Sequence, residues 1–139
     1  MTKLFPSQEW FEELKNRLNS NDEYAEQAEG WGTDFNGDFI FTIQPAGSLE
    51  ETVQYYIGLH DGECTEVYEV DDPASEDNGF NMVGDYDAWQ MLAQGELGAI
   101  EGIMSGDFEL QGSMNTLLKY QNAATTFVGT CSEIDTEFV

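Results

Sequence analysis

Hydrophobic and polar positions change period several times along the 139 residues, and each change marks an element. Trp10, Phe11, Leu14 and Leu18 recur at helical spacing behind Pro6-Ser7. This predicts a first helix capped by Ser7, with Glu9, Glu12 and Glu13 near its positive end and Lys15 and Arg17 toward its negative end. Asn21-Asp22 opens a short second helix with Tyr24, Ala25 and Ala28 on one face, and Gly30 is placed to end it. Past the Trp31-Gly32 corner the period drops to two. Phe39, Phe41 and Ile43 alternate with Asp38, Ile40, Thr42 and Gln44, a strand with one strongly apolar side. Two β-rich runs, residues 52–59 and 64–70, flank His60-Asp61-Gly62-Glu63, where Asp-Gly signals a hairpin turn. Residues 71–79 are polar and turn-rich and read as a loop within one domain, and 80–84 resume as a short strand.

Helical spacing returns after Gly84. Asp85 or Asp87 caps a helix whose inner side carries Trp89 and Leu92 with Ala88 and Ala93, and Gly95 stops it. A shorter helix over 97–104 follows, carrying Leu97, Ile100, Ile103 and Met104. Gly98, Gly102 and Gly106 stand four apart in this region, but Glu96, Glu101 and Asp107 deny them a hydrocarbon setting. Close packing of a short helix on a sheet accounts for them better. Phe108 and Leu110 then alternate with Asp107, Glu109 and Gln111 as a fifth strand. Gly112-Ser113 turns the chain into a last helix running from Met114 to Val128 or a little beyond.

Charge sets the surroundings of these elements. There are 28 acidic residues against Lys3, Lys15, Arg17 and Lys119, a formal net charge of -24, yet 40% of residues are apolar and 13% aromatic. That is ample for a core, so the pattern is a folded body under a carboxylate surface. The acids are spread along the whole chain, as in halophile proteins; an acidic protein built for a basic partner is the alternative. In molar salt the Debye length shrinks to about 3 Å, which screens the self-repulsion. Nucleic acid is excluded as a partner because no basic stripe exists to neutralise phosphates. Residues 1–6 lack an apolar leader core, and no run of about 18 apolar residues is present, which predicts a cytoplasmic protein without stable membrane insertion. The length fits one domain over 1–139, and nothing in the pattern sets an oligomeric state. Cys64 and Cys131 belong to no ligand cluster and read as reduced, buried thiols.

Catalytic constellations are scarce. His60, the sole histidine, sits beside a turn with no nucleophile or orienting group marked near it, and carboxylate pairs mean little in so acidic a chain. Asp34-Phe35-Asn36-Gly37-Asp38 lacks the closing glutamate of a calcium loop. Gly30-Trp31-Gly32 lacks the third glycine and preceding strand of a dinucleotide site. No cofactor, metal or catalytic residue is therefore expected. What remains is apolar: Met82, Trp89, Leu92, Ile100, Ile103 and Met104, and beyond them Phe108, Leu110, Met114, Leu117, Leu118 and Phe127. Adaptable methionines suit a pocket for flexible ligands, although an ordinary core uses the same side chains.

The order of features in the C-terminal half supplies a further clue. Gly95 after a capped helix, Ser105-Gly106, the strand of Phe108 and Leu110, Gly112-Ser113-Met114 and Leu118-Lys119-Tyr120-Gln121 together resemble sterol carrier protein type 2 over about residues 80–122. Upstream, the layout of helices and strands is similar. The resemblance implies an α+β fold, a mixed five-stranded sheet with helices packed on one side, and an apolar tunnel between them lined by the residues just named. It implies binding and transfer of a hydrophobic small molecule or lipid without chemistry, the ligand being a fatty acyl chain, acyl-CoA, sterol or isoprenoid lipid. An accessory or dimerisation module with the same fold and a filled core is the alternative. Animal members of that family are generally basic and approach membranes through a positive helix. Here residues 7–19 set three glutamates against Lys15 and Arg17, so collisional delivery to membranes is not expected. Residues 136–139 also lack a peroxisomal tripeptide.

Overall fold

The computed structural model describes residues 2–138, so the readings that involve Met1 and Val139 lie partly outside the described residues. Helix α1 (Gln8–Asn19) starts where the Ser7 hydroxyl accepts the Trp10 N–H at 3.1 Å, and it buries Trp10, Phe11, Leu14 and Leu18. Glu13 and Arg17, one turn apart, pair at 2.7 Å. Helix α2 (Asp22–Gln27) is capped by Asn21 and ends at Gln27 rather than at Gly30. Tyr24 and Ala28 face inward and Ala25 is exposed. Gly30 makes the next turn instead, at φ +90°.

Five strands form the main sheet: β2 (Phe39–Gln44), β3 (Val53–His60), β4 (Glu63–Glu69), β5 (Phe80–Asp85) and β6 (Phe108–Gln111), in the order β4-β3-β2-β5-β6. Only the central β2–β5 pairing is parallel, with Phe41 opposite Met82, so the sheet is mixed. The β3–β4 turn falls at Asp61-Gly62 with φ +48° and +83°, the paired positive φ of a tight hairpin. Its tip is pinned to the Trp31 corner: the Asp61 N–H donates to the Trp31 carbonyl at 2.6 Å, and the Asp61 carboxylate accepts the Gly30 N–H at 2.8 Å.

The helices cover one face of the sheet. Helix α3 (Tyr86–Ala93) is capped by Asp85, whose carboxylate accepts the Ala88 N–H at 2.9 Å. Helix α4 (Ala99–Ser105) starts two residues later than expected and closes on Gly106 at φ +90°. Its Gly102 lies against the Phe108 ring, where an added Cβ would stand 2.5 Å from Phe108 Cδ2. The expected single last helix is two: α5 (Met114–Leu118), capped by Ser113, and α6 (Gln121–Glu133). The break falls at Lys119-Tyr120, where the Tyr120 ring meets the Trp31 indole edge to face at 5.1 Å. That contact lets α6 turn Ala123, Phe127, Val128 and Cys131 onto the core.

Two features were not expected from the pattern. β1 (Lys3–Phe5) and β7 (Thr136–Phe138) form a separate parallel pair, with Lys3 opposite Thr136, and each strand is too short to show a period. On the outer face of the main sheet, Ile40, Tyr56 and Val70 are buried although the helices lie on the other side. Residues 71–79 fold over them. The Tyr56 hydroxyl donates to the Asp77 carbonyl at 3.0 Å and to the Asp38 carboxylate, and Tyr68 donates to Glu76 at 2.6 Å. That polar loop is a cover for the sheet.

Candidate ligand-binding site

The period of two in β2 sends Phe39 and Phe41 to the helix-covered face, where they floor an apolar slot. Leu59 of β3 and Met82 of β5 extend the floor to either side, and Ala123, Ala124, Phe127 and Val128 of α6 form the roof. Tyr24 and Ala28, from α2 and its cap, line it on the α2 side, and Leu92 of α3 and Ala99 of α4 on the α4 side. The slot encloses about 60 Å³. Outside it, between α4 and α6, a groove of about 420 Å³ runs past Ile100, Glu101, Thr125 and Ser132. Ala99, Ala124 and Val128 line both spaces, so only small or β-branched side chains separate them.

Aromatic packing holds the slot's shape. Trp31 donates its indole N–H to the Gly37 carbonyl at 2.9 Å, and Gly37 leaves no room for a Cβ beside that ring. Phe39 stacks on Phe80 at 4.9 Å, and Phe41 meets Trp89 at 4.8 Å and Phe127 at 5.9 Å. None of the four cationic side chains lines the slot or the groove. Tyr24 and Tyr120 bring the slot's hydroxyls. Burial, with the Cys64 thiol nearby, pushes the Tyr24 hydroxyl well above the ordinary range, so it stays protonated.

Of the residues expected to line a cavity, Met82, Leu92, Leu117 and Phe127 lie on the slot, and Ile100 lies on the outer groove. Trp89 and Phe108 are buried beside it in mutual contact at 4.8 Å, and the Trp89 N–H donates to the Thr42 carbonyl at 2.9 Å. They are pillars of the core rather than walls of the slot. Ile103, Leu110 and Met114 are half-buried against the core, and Leu118 is half-buried on α5. Met104 stands 68% exposed. It follows inward-facing Gly102 by two residues, about 200° around the helix, which turns it to solvent.

The expectation kept to the C-terminal half and missed the N-terminal wall of Tyr24, Ala28, Trp31, Phe39, Phe41 and Leu59. A signal for the roof was present: Tyr120, Ala123, Ala124, Phe127 and Val128 follow the i, i+3, i+4, i+7, i+8 spacing of one helix face. Small alanines on that face mark where α6 leaves space. No such signal ties Tyr24 or Leu59 to α6, because those contacts cross most of the chain.

A mixed sheet backed by helices over an apolar slot defines a domain of the α+β class. Among the described residues no group of three metal-ligating side chains comes together. Residues 11–125 match the SCP-2 sterol transfer family. The chain belongs to that family. Among solved structures it is similar to a Thermus thermophilus protein described as possibly a sterol carrier protein. The TM-score is 0.82 at 23% identity, over 99% of this chain and 93% of that one. It is also similar to a sterol carrier protein 2, with TM-score 0.79 at 23% identity over 92% of this chain and 97% of the other. A third similar structure is the apo form of sterol carrier protein 2 from Yarrowia lipolytica, with TM-score 0.56 at 17% identity over 88% of each chain. No curated protein sequence matches the chain. Among the described residues no helix is long and apolar enough to cross a membrane.

Proposed function

We propose that this protein binds a long-chain lipid in the slot and carries it without chemical change. The observation that carries this reading is that only Ala99, Ala124 and Val128, which line both spaces, part the slot from the outer groove. A chain lying in the slot has a path outward along α6 where those small side chains give way, and its methylenes replace water on an almost wholly apolar lining. Fatty acyl, acyl-CoA, sterol and isoprenoid chains are the candidate cargo classes. The carboxylate surface fits a cytoplasm of high salt, where repulsion between a protein of net charge -24 and anionic lipid surfaces is screened. The bulky cargo of that list requires the slot to widen, and the alanines of α6 are where it can do so.

The narrowness of the slot, about 60 Å³, favours a second reading, an accessory or dimerisation module whose core is effectively filled. Extraction of protein purified in molar salt, followed by mass spectrometry, separates the two. A carrier yields stoichiometric apolar ligand or binds added lipid saturably after delipidation. Correctly folded protein that does neither is the module.

A further inference from the structure

The slot has two chemically different sides. On the α4 side it adjoins the outer groove. On the α2 side stands Tyr24, 4% exposed, whose hydroxyl has no hydrogen-bond partner among the described residues. Among those residues no enclosed side-chain oxygen or nitrogen is left without a partner, so an unbonded hydroxyl on so buried a ring must open onto free space. Tyr24 is one of the residues that line the slot. On the reading that the slot holds a lipid, we propose that Tyr24 is its head-group contact and that it selects an uncharged oxygen, as in a long-chain alcohol, over a carboxylate.

Charge supports the selection. A carboxylate drawn into the slot would meet no lysine or arginine, since all four lie elsewhere, and it would pass Glu101 in the groove. Losing water without gaining a cation is costly for an anion, whereas a hydroxyl needs only one partner. Tyr24 offers that partner in a neutral state, its proton held by burial. The ring itself is fixed by Phe127 at 6.3 Å and by the α2 cap, where the Asn21 side-chain oxygen accepts the Tyr24 N–H at 3.2 Å. The tail of such a ligand runs across Phe39 and Phe41 toward Ala99 and the groove. Tyr120 brings the other hydroxyl of the slot, but it is half-buried and its oxygen lies 3.1 Å from where a Cβ on Gly30 would stand, at the outer corner.

The test is displacement of N-phenyl-1-naphthylamine from delipidated protein by 1-dodecanol and by dodecanoate at pH 8 in molar salt, for the wild type, Tyr24→Phe and Tyr68→Phe, the last removing a hydroxyl on the outer face of the sheet. Wild-type protein should bind the alcohol at least about tenfold tighter than the carboxylate. Tyr24→Phe should weaken the alcohol by about 3- to 10-fold, the loss of one hydrogen bond, and Tyr68→Phe should leave it unchanged. Equal wild-type affinity for dodecanoate overturns the proposal while leaving the lipid reading intact. So does an unaltered alcohol affinity in folded Tyr24→Phe, or an equal loss in folded Tyr68→Phe. If Tyr24→Phe does not fold, the wild-type comparison decides. Absence of binding by any probe to folded wild type removes both the lipid reading and this inference.

Discussion

Asn19 and Cys64 hold each other through two reciprocal hydrogen bonds: the Cys64 N–H donates to Asn19 Oδ1 at 2.8 Å, and the Asn19 amide donates to the Cys64 carbonyl at 2.9 Å. The side chain at the end of α1 thus imitates a neighbouring strand for the edge strand β4. It occupies a donor and an acceptor that the hairpin partner does not reach. Asn19→Ala should lower stability by about 1–3 kcal/mol, the range for leaving partly buried backbone groups unpaired. Urea denaturation at fixed salt checks it, with the midpoint falling and the slope unchanged.

Salt should be part of the folding condition. The formal charge is -24, and Arg17–Glu13 is the one ion pair among the described residues, so repulsion is left to the solvent to screen. The melting temperature should fall as salt drops from molar to tens of millimolar. A scan that shows equal stability at both ionic strengths contradicts this.

The thiols should be silent in the folded protein and should make it sensitive to alkali. Burial pushes Cys64 up from 9.0 to about 12, and burial moves Cys131 in the same direction. Iodoacetamide at pH 8 should label neither residue until denaturant is added. Between the unfolded value and the raised folded one, the unfolded chain has lost protons that the folded chain keeps. Stability is therefore fully present below pH 9.0 and falls as pH rises toward about 12. Denaturation midpoints at pH 8 and 10.5 measure the slope, which should be shallower in Cys64→Ala.

Gly102 should not tolerate a side chain. A Cβ there meets the Phe108 ring at 2.5 Å, and Phe108 is wedged against Trp89, so neither ring can retreat cheaply. Gly102→Val should destabilise by about 1–3 kcal/mol through overpacking. A thermal melt unchanged from wild type would show that α4 lifts off β6 freely.

Blocking the slot should separate from changing the surface. Ala124→Trp, placed between slot and groove, should reduce binding of long chains more than of short ones, since each methylene buried contributes about 0.8 kcal/mol before association costs. Met104→Lys, on a side chain that is 68% exposed, should leave both binding and stability within about 0.5 kcal/mol of wild type. Titration of alcohols of increasing length into both variants reads the contrast.

Much of this protein is written in signals a few residues long. Ser7, Asn21, Asp85 and Ser113 each cap the helix that follows through a backbone N–H three residues on, and Asp61-Gly62 turns a hairpin because its positive φ angles match the twist of paired strands. Such groups find their partners within one turn of chain, so composition and spacing suffice to locate them. The C-terminal order of strand, glycine corner and capped helix likewise identified the fold family.

Tertiary structure alone decided what depends on partners far apart. The β1–β7 pairing joins Lys3 to Thr136, and the parallel β2–β5 register sets Phe41 beside Met82; neither strand carries a mark naming its neighbour. Residues 71–79 cover the sheet through the Asp77 carbonyl, which accepts from Tyr56, and the Glu76 carboxylate, which accepts from Tyr68, while Asp71, Asp72, Ser75, Asp77 and Gly79 stay exposed. Polarity marked the solvent side of this segment and not the aromatic side chains beneath it. The break at Lys119-Tyr120 answers to Trp31, nearly ninety residues earlier. Most of all, apolar side chains look alike in a core and in a cavity. Trp89 and Phe108 fill their space while Phe39 and Phe127 leave some, and that difference lies in how α2, α4 and α6 meet over the sheet.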